Sequence, residues 1–290
     1  MRFRIIDAFT DQPFRGNPAG VCLLEGTWPD DEWMRRVATE TNLSDTAFVL
    51  PLDSQDADYA LRWFTPEIEE DLCGHATLAA AHALHEDRGT PATVRFSTRR
   101  GILIAHSFAD GGITLDFPAS PPVQAPPPAG LAEAIGAEPV EVYRTGALRD
   151  LLVVLRDEHA VRGVVPDMTA IARIERDDDI RGVIITAQAD GHDFVSRFFA
   201  PADGIPEDPV TGSAHTALAP YWARRLGKDT LVGLQASKRR GVVRVAMRGD
   251  RVLLNGSAVT TFDGVLRAPA VVLNGQYGSV GGGPTAGLAG

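Results

Sequence analysis

Apolar residues in this chain come mostly in short runs bounded by turn residues, with few long helical stripes, so the pattern predicts a strand-rich protein. Strands are expected over 3–10, 19–26, 46–51 and 59–64, then 93–97, 101–108 and 113–117. A helix is expected from Pro29 to about Thr41, where Asp30, Asp31 and Glu32 supply a cap and first-turn negative charge ahead of Trp33 and Val37. Further strands are expected over 140–145, 151–155, 183–187 and 193–199, then up to 234, 242–248 and 251–257. Short helices are expected over 131–135 and 168–174.

Two Ala-rich helices break the strand pattern, and the segments leading into them are alike. Residues 64–84 (FTPEIEEDLCGHATLAAAHAL) are echoed by 198–222 (FFAPADGIPEDPVTGSAHTALAPYW). In each, an Arg-preceded aromatic strand ends at a proline, crosses an acidic loop and meets a small-residue turn that opens a helix, at Gly74 and at Gly212. The chain therefore reads as one unit built twice. Glycine lets a ligand approach backbone, and the first N–H groups of a helix are unpaired donors with partial positive charge. Two facing helix starts of this kind would hold a small carboxylate.

The proline-rich segment 118–128 (PASPPVQAPPP) is the plainest composition break, because proline cannot donate to a sheet ladder. It sets an expected boundary between a first lobe, 1–118, and a second, 129–267, with the last strand able to return to the first lobe. Residues 268–290 are Gly-rich and are expected to form a disordered tail.

Composition narrows the function classes. A net charge of -10 argues against nucleic acid or an anionic membrane as partner. No apolar run approaches the ~20 residues of a membrane span, and MRFRIIDAF enters a strand pattern at once, so a cytoplasmic address is expected. Cys22 and Cys73 stand in unrelated contexts, and the seven histidines show no metal-binding spacing, so no disulfide and no metal are expected. Nucleotide-binding glycine motifs are also missing. Lys238, Arg239 and Arg240 read as a solvated basic loop, and 177–179 as a solvated acidic one.

The blocks 7–21 (DAFTDQPFRGNPAGV), 40–49 (ETNLSDTAFV), 61–81, 197–215 and 255–267 (NGSAVTTFDGVLR) resemble the phenazine-biosynthesis isomerase family, PhzF-like proteins of the diaminopimelate-epimerase fold. The resemblance spans nearly the whole chain. It implies an α+β fold of two pseudo-symmetric lobes, each a β-barrel-like sheet wrapped on a central helix, with the active site between them. It also implies a homodimer and cofactor-independent proton transfer on a small amino or hydroxy carboxylic acid, of the kind used in antibiotic biosynthesis.

Matched residue by residue, the resemblance gives catalytic roles to Asp45, His75 and Asp208. Substrate contacts fall to Asn17, Gly74, Thr211, Gly212 and Ser213. At the position of Asp45 the family pattern N-L-S-E-T-A-F has Glu, and the shorter side chain moves the carboxyl oxygens by about 1 Å or more, a shift that can cost ~100-fold. Read without the family, Asp45 and Asp208 are either acid/base groups or turn acids, and His75 is either a satisfied core histidine or a proton carrier. Epimerases of this fold use two thiols; the loop 208–212 has none to match Cys73, which reads as a small packed residue. Three functions stay open: an isomerase shuttling one proton through Asp45, an epimerase using Asp45 with His75 or Asp208, and a non-catalytic binder of small acids.

Overall fold

A computed structural model describes residues 1–89, 93–109 and 111–267, so the expected tail lies outside the described residues. Its strands follow one scheme twice. In the first half are β1 (Arg2–Ala8), β2 (Asn17–Leu23), β3 (Asp45–Pro51), β4 (Tyr59–Phe64), β5 (Glu69–Glu70), β6 (Thr93–Thr98), β7 (Gly101–Ser107), β8 (Ile113–Pro118) and β9 (Val123–Gln124). In the second are β10 (Glu141–Arg144), β11 (Asp150–Val154), β12 (Gly182–Gln188), β13 (Phe194–Ala200), β14 (Ile205–Asp208), β15 (Thr230–Gln235), β16 (Gly241–Arg248), β17 (Arg251–Gly256) and β18 (Ala258–Val265). The helices are α1 (Asp31–Thr41), α2 (Gly74–Arg88), α3 (Leu131–Ile135), α4 (Glu158–Gly163), α5 (Met168–Asp177) and α6 (Gly212–Leu226).

The pairing recurs element by element. β2 runs parallel to β3, β3 antiparallel to β4, and β4 parallel to β6 across α2; β11, β12, β13 and β15 repeat these relations across α6. The same buttress recurs as well: Arg62 grips Glu69 with two hydrogen bonds of 2.7 and 2.6 Å, and Arg197 grips Glu207 with two of 2.7 and 3.1 Å. The halves are stitched at three edges, β8 to β17, β9 to β10 and β18 to β1, which merges all the strands into one hydrogen-bonded sheet.

Packing follows from residue type. α2 and α6 are apolar nearly all round, which suits a helix enclosed on all sides, and Leu78, Ala79, Ala80, Leu84, Ala217 and Leu218 are fully buried. Both helices share one core cluster with strands of both halves. β11 and β12 read as continuous apolar runs because both faces are covered: the inner face by this core, the outer by α3, α4 and α5. α1 covers the first half similarly through Trp33 and Met34, which pack with Phe48 of β3.

Several local expectations need correction. The proline-rich segment is docked: it carries β9, and Ser120 N–H donates to Thr216 O at 3.0 Å. Pro220 inside α6 has no N–H to offer that carbonyl, so the segment fills a bond the proline leaves open. α4, β5 and β14 were not expected; each is too short to show a period in sequence. Arg239 is no solvated residue, since it binds Asp7 at 2.7 Å and the carbonyls of Gly16 and Arg15 at 3.0 Å each. The acidic loop is solvent-facing as expected, with Arg144 bound to Asp178 and Arg149 to Asp179.

Candidate active site

α2 and α6 meet start to start. A Cβ placed on Gly74 would lie 3.2 Å from the Gly212 Cα, and one on Gly212 would lie 3.2 Å from the Gly74 Cα, so a side chain at either position would press the two backbones apart by a few tenths of an ångström. The residues ahead of them, Cys73 and Thr211, are extended and neither caps its helix with its side chain. The first N–H groups of both helices are thus left without side-chain acceptors, and two positive helix ends point into one space. That space is a cavity of about 70 Å³, lined by residues from both halves.

Asp45 opens β3 at the wall of this cavity and is buried. One carboxyl oxygen, Oδ1, is buried without a hydrogen-bond partner, and the other, Oδ2, lies 3.7 Å from His75 Nε2, beyond bonding reach. Burial pushes its pKa well above the ordinary carboxylate value, and the charges of Glu70 and Asp208 push the same way, while a hydrogen bond from Cys73 opposes them. The carboxyl thereby holds a proton more readily than an exposed aspartate does.

His75 sits one residue into α2, with Nε2 3.3 Å from Ser44 Oγ and Nδ1 3.5 Å from Cys73 Sγ. Burial lowers its pKa to about 3, so the ring is neutral and its contact with Asp45 is no ion pair. The Cys73 thiol is pushed far up, first by burial and then by Asp45, and stays protonated. It is a packed residue, as the sequence suggests, but one that contacts both candidate catalytic groups.

Asp208 ends β14 on the opposite wall. Burial raises its pKa to about 6, against two donors that favour the anion: Thr211 Oγ1 at 2.5 Å and Asn17 Nδ2 at 2.7 Å. Asn17 also donates to Val210 O at 2.9 Å and accepts from Ser44 Oγ at 3.2 Å, tying the halves together behind the cavity. Thus Asp45, His75, Asp208, Gly74, Gly212, Ser213 and Thr211 all line one space, and Asn17 braces it from behind.

Three contributors escaped the sequence reading. Arg181 lines the cavity, makes two hydrogen bonds of 2.8 and 2.7 Å to the fully buried Asp150, and donates to Ser213 Oγ at 3.0 Å. Glu70 also lines the cavity, its pKa raised by burial and held back by Arg181. Gln235 accepts from Thr211 N–H at 2.8 Å and donates to Asp208 O at 2.8 Å. The internal repeat held the signal for Glu70, and strand pairing extends it to Arg181. Glu70 precedes Cys73 by the spacing that separates Asp208 from Thr211, and Arg181 stands two residues before Val183, which faces Phe199 as Thr46 faces Phe64. Arg181 is therefore the counterpart of Ser44, and Ser213 of His75, and both pairs are in contact.

Donor atoms of Asp45, Cys73 and His75 lie within 4.8 Å of one another, close enough for a small cation.

Comparison with known proteins places these residues in context. The sequence profile of the family described as Phenazine biosynthesis-like protein matches residues 6–264. An uncharacterized isomerase of Pseudomonas aeruginosa is 47% identical over 90% of this chain and 96% of its own. The crystal structure of a phenazine biosynthesis protein of the PhzF family from Enterococcus faecalis is similar with a TM-score of 0.84 and 41% identity, covering 91% of this chain and 97% of that one. A hydroxyproline epimerase from Agrobacterium vitis shares the fold, with a TM-score of 0.64 at 11% identity over 91% of each chain.

Proposed function

The chain belongs to the phenazine biosynthesis-like protein family, whose relatives include proteins named isomerases, and from that premise we propose a cofactor-independent isomerase that moves a proton within one small amino or hydroxy carboxylic acid. The observation that carries the proposal is the partnerless, buried Oδ1 of Asp45 in the cavity between two uncapped helix starts. The recurrent pairing supports reading residues 1–118 and 129–267 as two lobes with the reaction between them, each lobe wrapped as a barrel-like sheet on α2 or α6. Family likeness also favours a homodimer, which a solution mass at micromolar concentration tests. A role in secondary metabolism belongs to the same reading.

In this mechanism the substrate carboxylate lies between the N–H groups that open α2 and α6, where helix dipoles favour negative charge. Ser213 Oγ accepts from Arg181, which leaves its O–H free to donate to that carboxylate. Asp45 takes a proton from a carbon next to a conjugated system and returns it to another carbon on the same face, so no atom other than hydrogen is exchanged. Asp208 is the weaker candidate for carrier, since both of its oxygens already accept hydrogen bonds. Neutral His75 and Asp208 orient polar groups. Metal and organic cofactor have no part in these steps; protein stripped with a chelator is expected to keep its activity.

The test is a panel of small amino and hydroxy acids incubated with the protein in heavy water and followed by proton NMR. The expected result is one substrate with a displaced double bond and partial deuterium at the new C–H, because the carboxyl proton exchanges before return. Inversion of a stereocentre with deuterium at the same carbon would establish an epimerase instead. Binding without any exchange would leave only the small-acid-binding role.

A further inference from the structure

A larger cavity lies elsewhere. A groove of about 490 Å³ opens between the loop joining β1 to β2, the hairpin joining β15 to β16, and the outer faces of β16 and β17. None of its lining residues lines the cleft described above. Its walls carry Arg15, Arg162, Arg240 and Arg244, with His192 at the rim, against a single acid, Asp11. In a chain whose net charge is -10, this is a local reversal of sign.

The partners of these cations set the groove apart. Arg162 is held by Glu158. Among the described residues, the guanidinium groups of Arg15, Arg240 and Arg244 have no ion-pair or hydrogen-bond partner. Arginines elsewhere are commonly matched, as Arg2, Arg62, Arg95, Arg181, Arg197 and Arg251 are. Three unmatched cations at one cavity repel one another, and an anion relieves that repulsion.

Local structure fixes where they point. β16 alternates buried and exposed residues from Gly241 onward, which turns Arg244 outward, opposite Asn255 of β17. Arg240 has φ 58°, a left-handed conformation that disfavours side chains. Its backbone is held there from both sides: its carbonyl accepts from Gly16 N–H at 2.7 Å and its N–H donates to Ser237 Oγ at 3.0 Å. A strained arginine thus stands at the mouth of the groove, where glycine would cost nothing. Strain of this kind marks functional positions.

We propose that this groove is a second ligand site, which binds a small organic anion bearing two or more negative charges on phosphate or carboxylate groups. The volume falls in the usual range for small-molecule pockets. Planar guanidinium groups match both kinds of anion with paired hydrogen bonds.

The test is isothermal titration of the full chain with pyrophosphate, ADP and citrate, each at an ionic strength fixed with sodium chloride. The expected result is one-to-one binding of at least one probe, weakened about 10- to 100-fold by Arg240→Gly and by Arg244→Ser, the range for losing a hydrogen bond to a charged group. Arg240→Gly suits a left-handed position, so its melting temperature should match or exceed that of the wild type. Preference for pyrophosphate and ADP over citrate would assign phosphate chemistry, and the reverse would assign carboxylate chemistry. Loss on Arg240→Gly distinguishes this groove from the Asp45 cleft, which that residue does not touch. No binding at millimolar concentration, or equal binding by wild type and both variants, overturns the proposal.

Discussion

Asp45→Asn separates activity from stability in opposite directions. The substitution keeps size and shape but removes the lone pair that takes a proton, so exchange should fall by about 10²- to 10⁴-fold, the usual contribution of a positioned general base. That loss corresponds to about 3 to 5 kcal/mol of barrier. Stability should move the other way. The folded-state pKa of Asp45 is raised, so the carboxyl contributes stability that is fully present below its ordinary value of 3.8 and lost as pH rises through the folded value. Asparagine never ionises and escapes this loss. With Oδ1 buried and partnerless, ionisation should cost about 1 to 3 kcal/mol, and each kcal/mol moves the melting temperature of a domain near this size by about 2 to 4 °C. Calorimetry at pH 5 and pH 8 should therefore show the variant melting higher at pH 8, with a smaller gap at pH 5. Exchange at the wild-type rate would end the role of Asp45 as carrier. An equal gap at both pH values would show that Asp45 is not a buried acid of raised pKa.

Arg181→Gln should cost about 3 to 5 kcal/mol by leaving Asp150 charged and buried without its partner; the double variant with Asp150→Asn should recover much of this in urea titrations, and no recovery would refute the coupling. Gly74→Ala drives a methyl against the Gly212 backbone and should cost about 1 to 3 kcal/mol while abolishing exchange, whereas a silent substitution would show that the helix starts can part freely. Asp208, raised from 3.8 to about 6 by burial, contributes stability that is present below 3.8 and lost through pH 6. Two units amount to about 3 kcal/mol, so the fall in urea midpoint from pH 4 to pH 7 should shrink in Asp208→Asn. Cys73→Ser should keep exchange within several-fold, since its thiol stays protonated; abolition in a folded variant would restore thiol chemistry.

The repeat was legible because it is written twice in turn chemistry: proline after an aromatic strand, then glycine at a helix start. That located Gly74, Gly212 and their neighbours. The lone matches Asp45 and Asn17 came through the family pattern, since neither residue type announces a cleft by itself. Arg181 and Gln235 stayed hidden because their partners, Asp150 and the 208–211 loop, are brought to them only by strand pairing. The same holds for Arg239, which reads as surface in a run of three cations and is held by Asp7 from the far end of the chain. Proline-rich 118–128 misled for a local reason: composition shows that proline does not donate, but not that Pro220 leaves a carbonyl waiting for Ser120.

The pairing of β18 with β1 sets a schedule for synthesis. Phe3 faces Gly264 and Leu266 N–H reaches Met1 O at 2.9 Å, so β1 waits for β18, about 250 residues later in the chain. Until residues 258–265 leave the ribosome, one edge of β1 has no partner and can pair with other chains. β8 waits almost as long for β17, so the first half cannot close early, even though its own strands are complete by residue 124. Contacts this distant in sequence fold slowly. In a crowded cell, a nascent first half is thus the stage most exposed to aggregation and most dependent on chaperones.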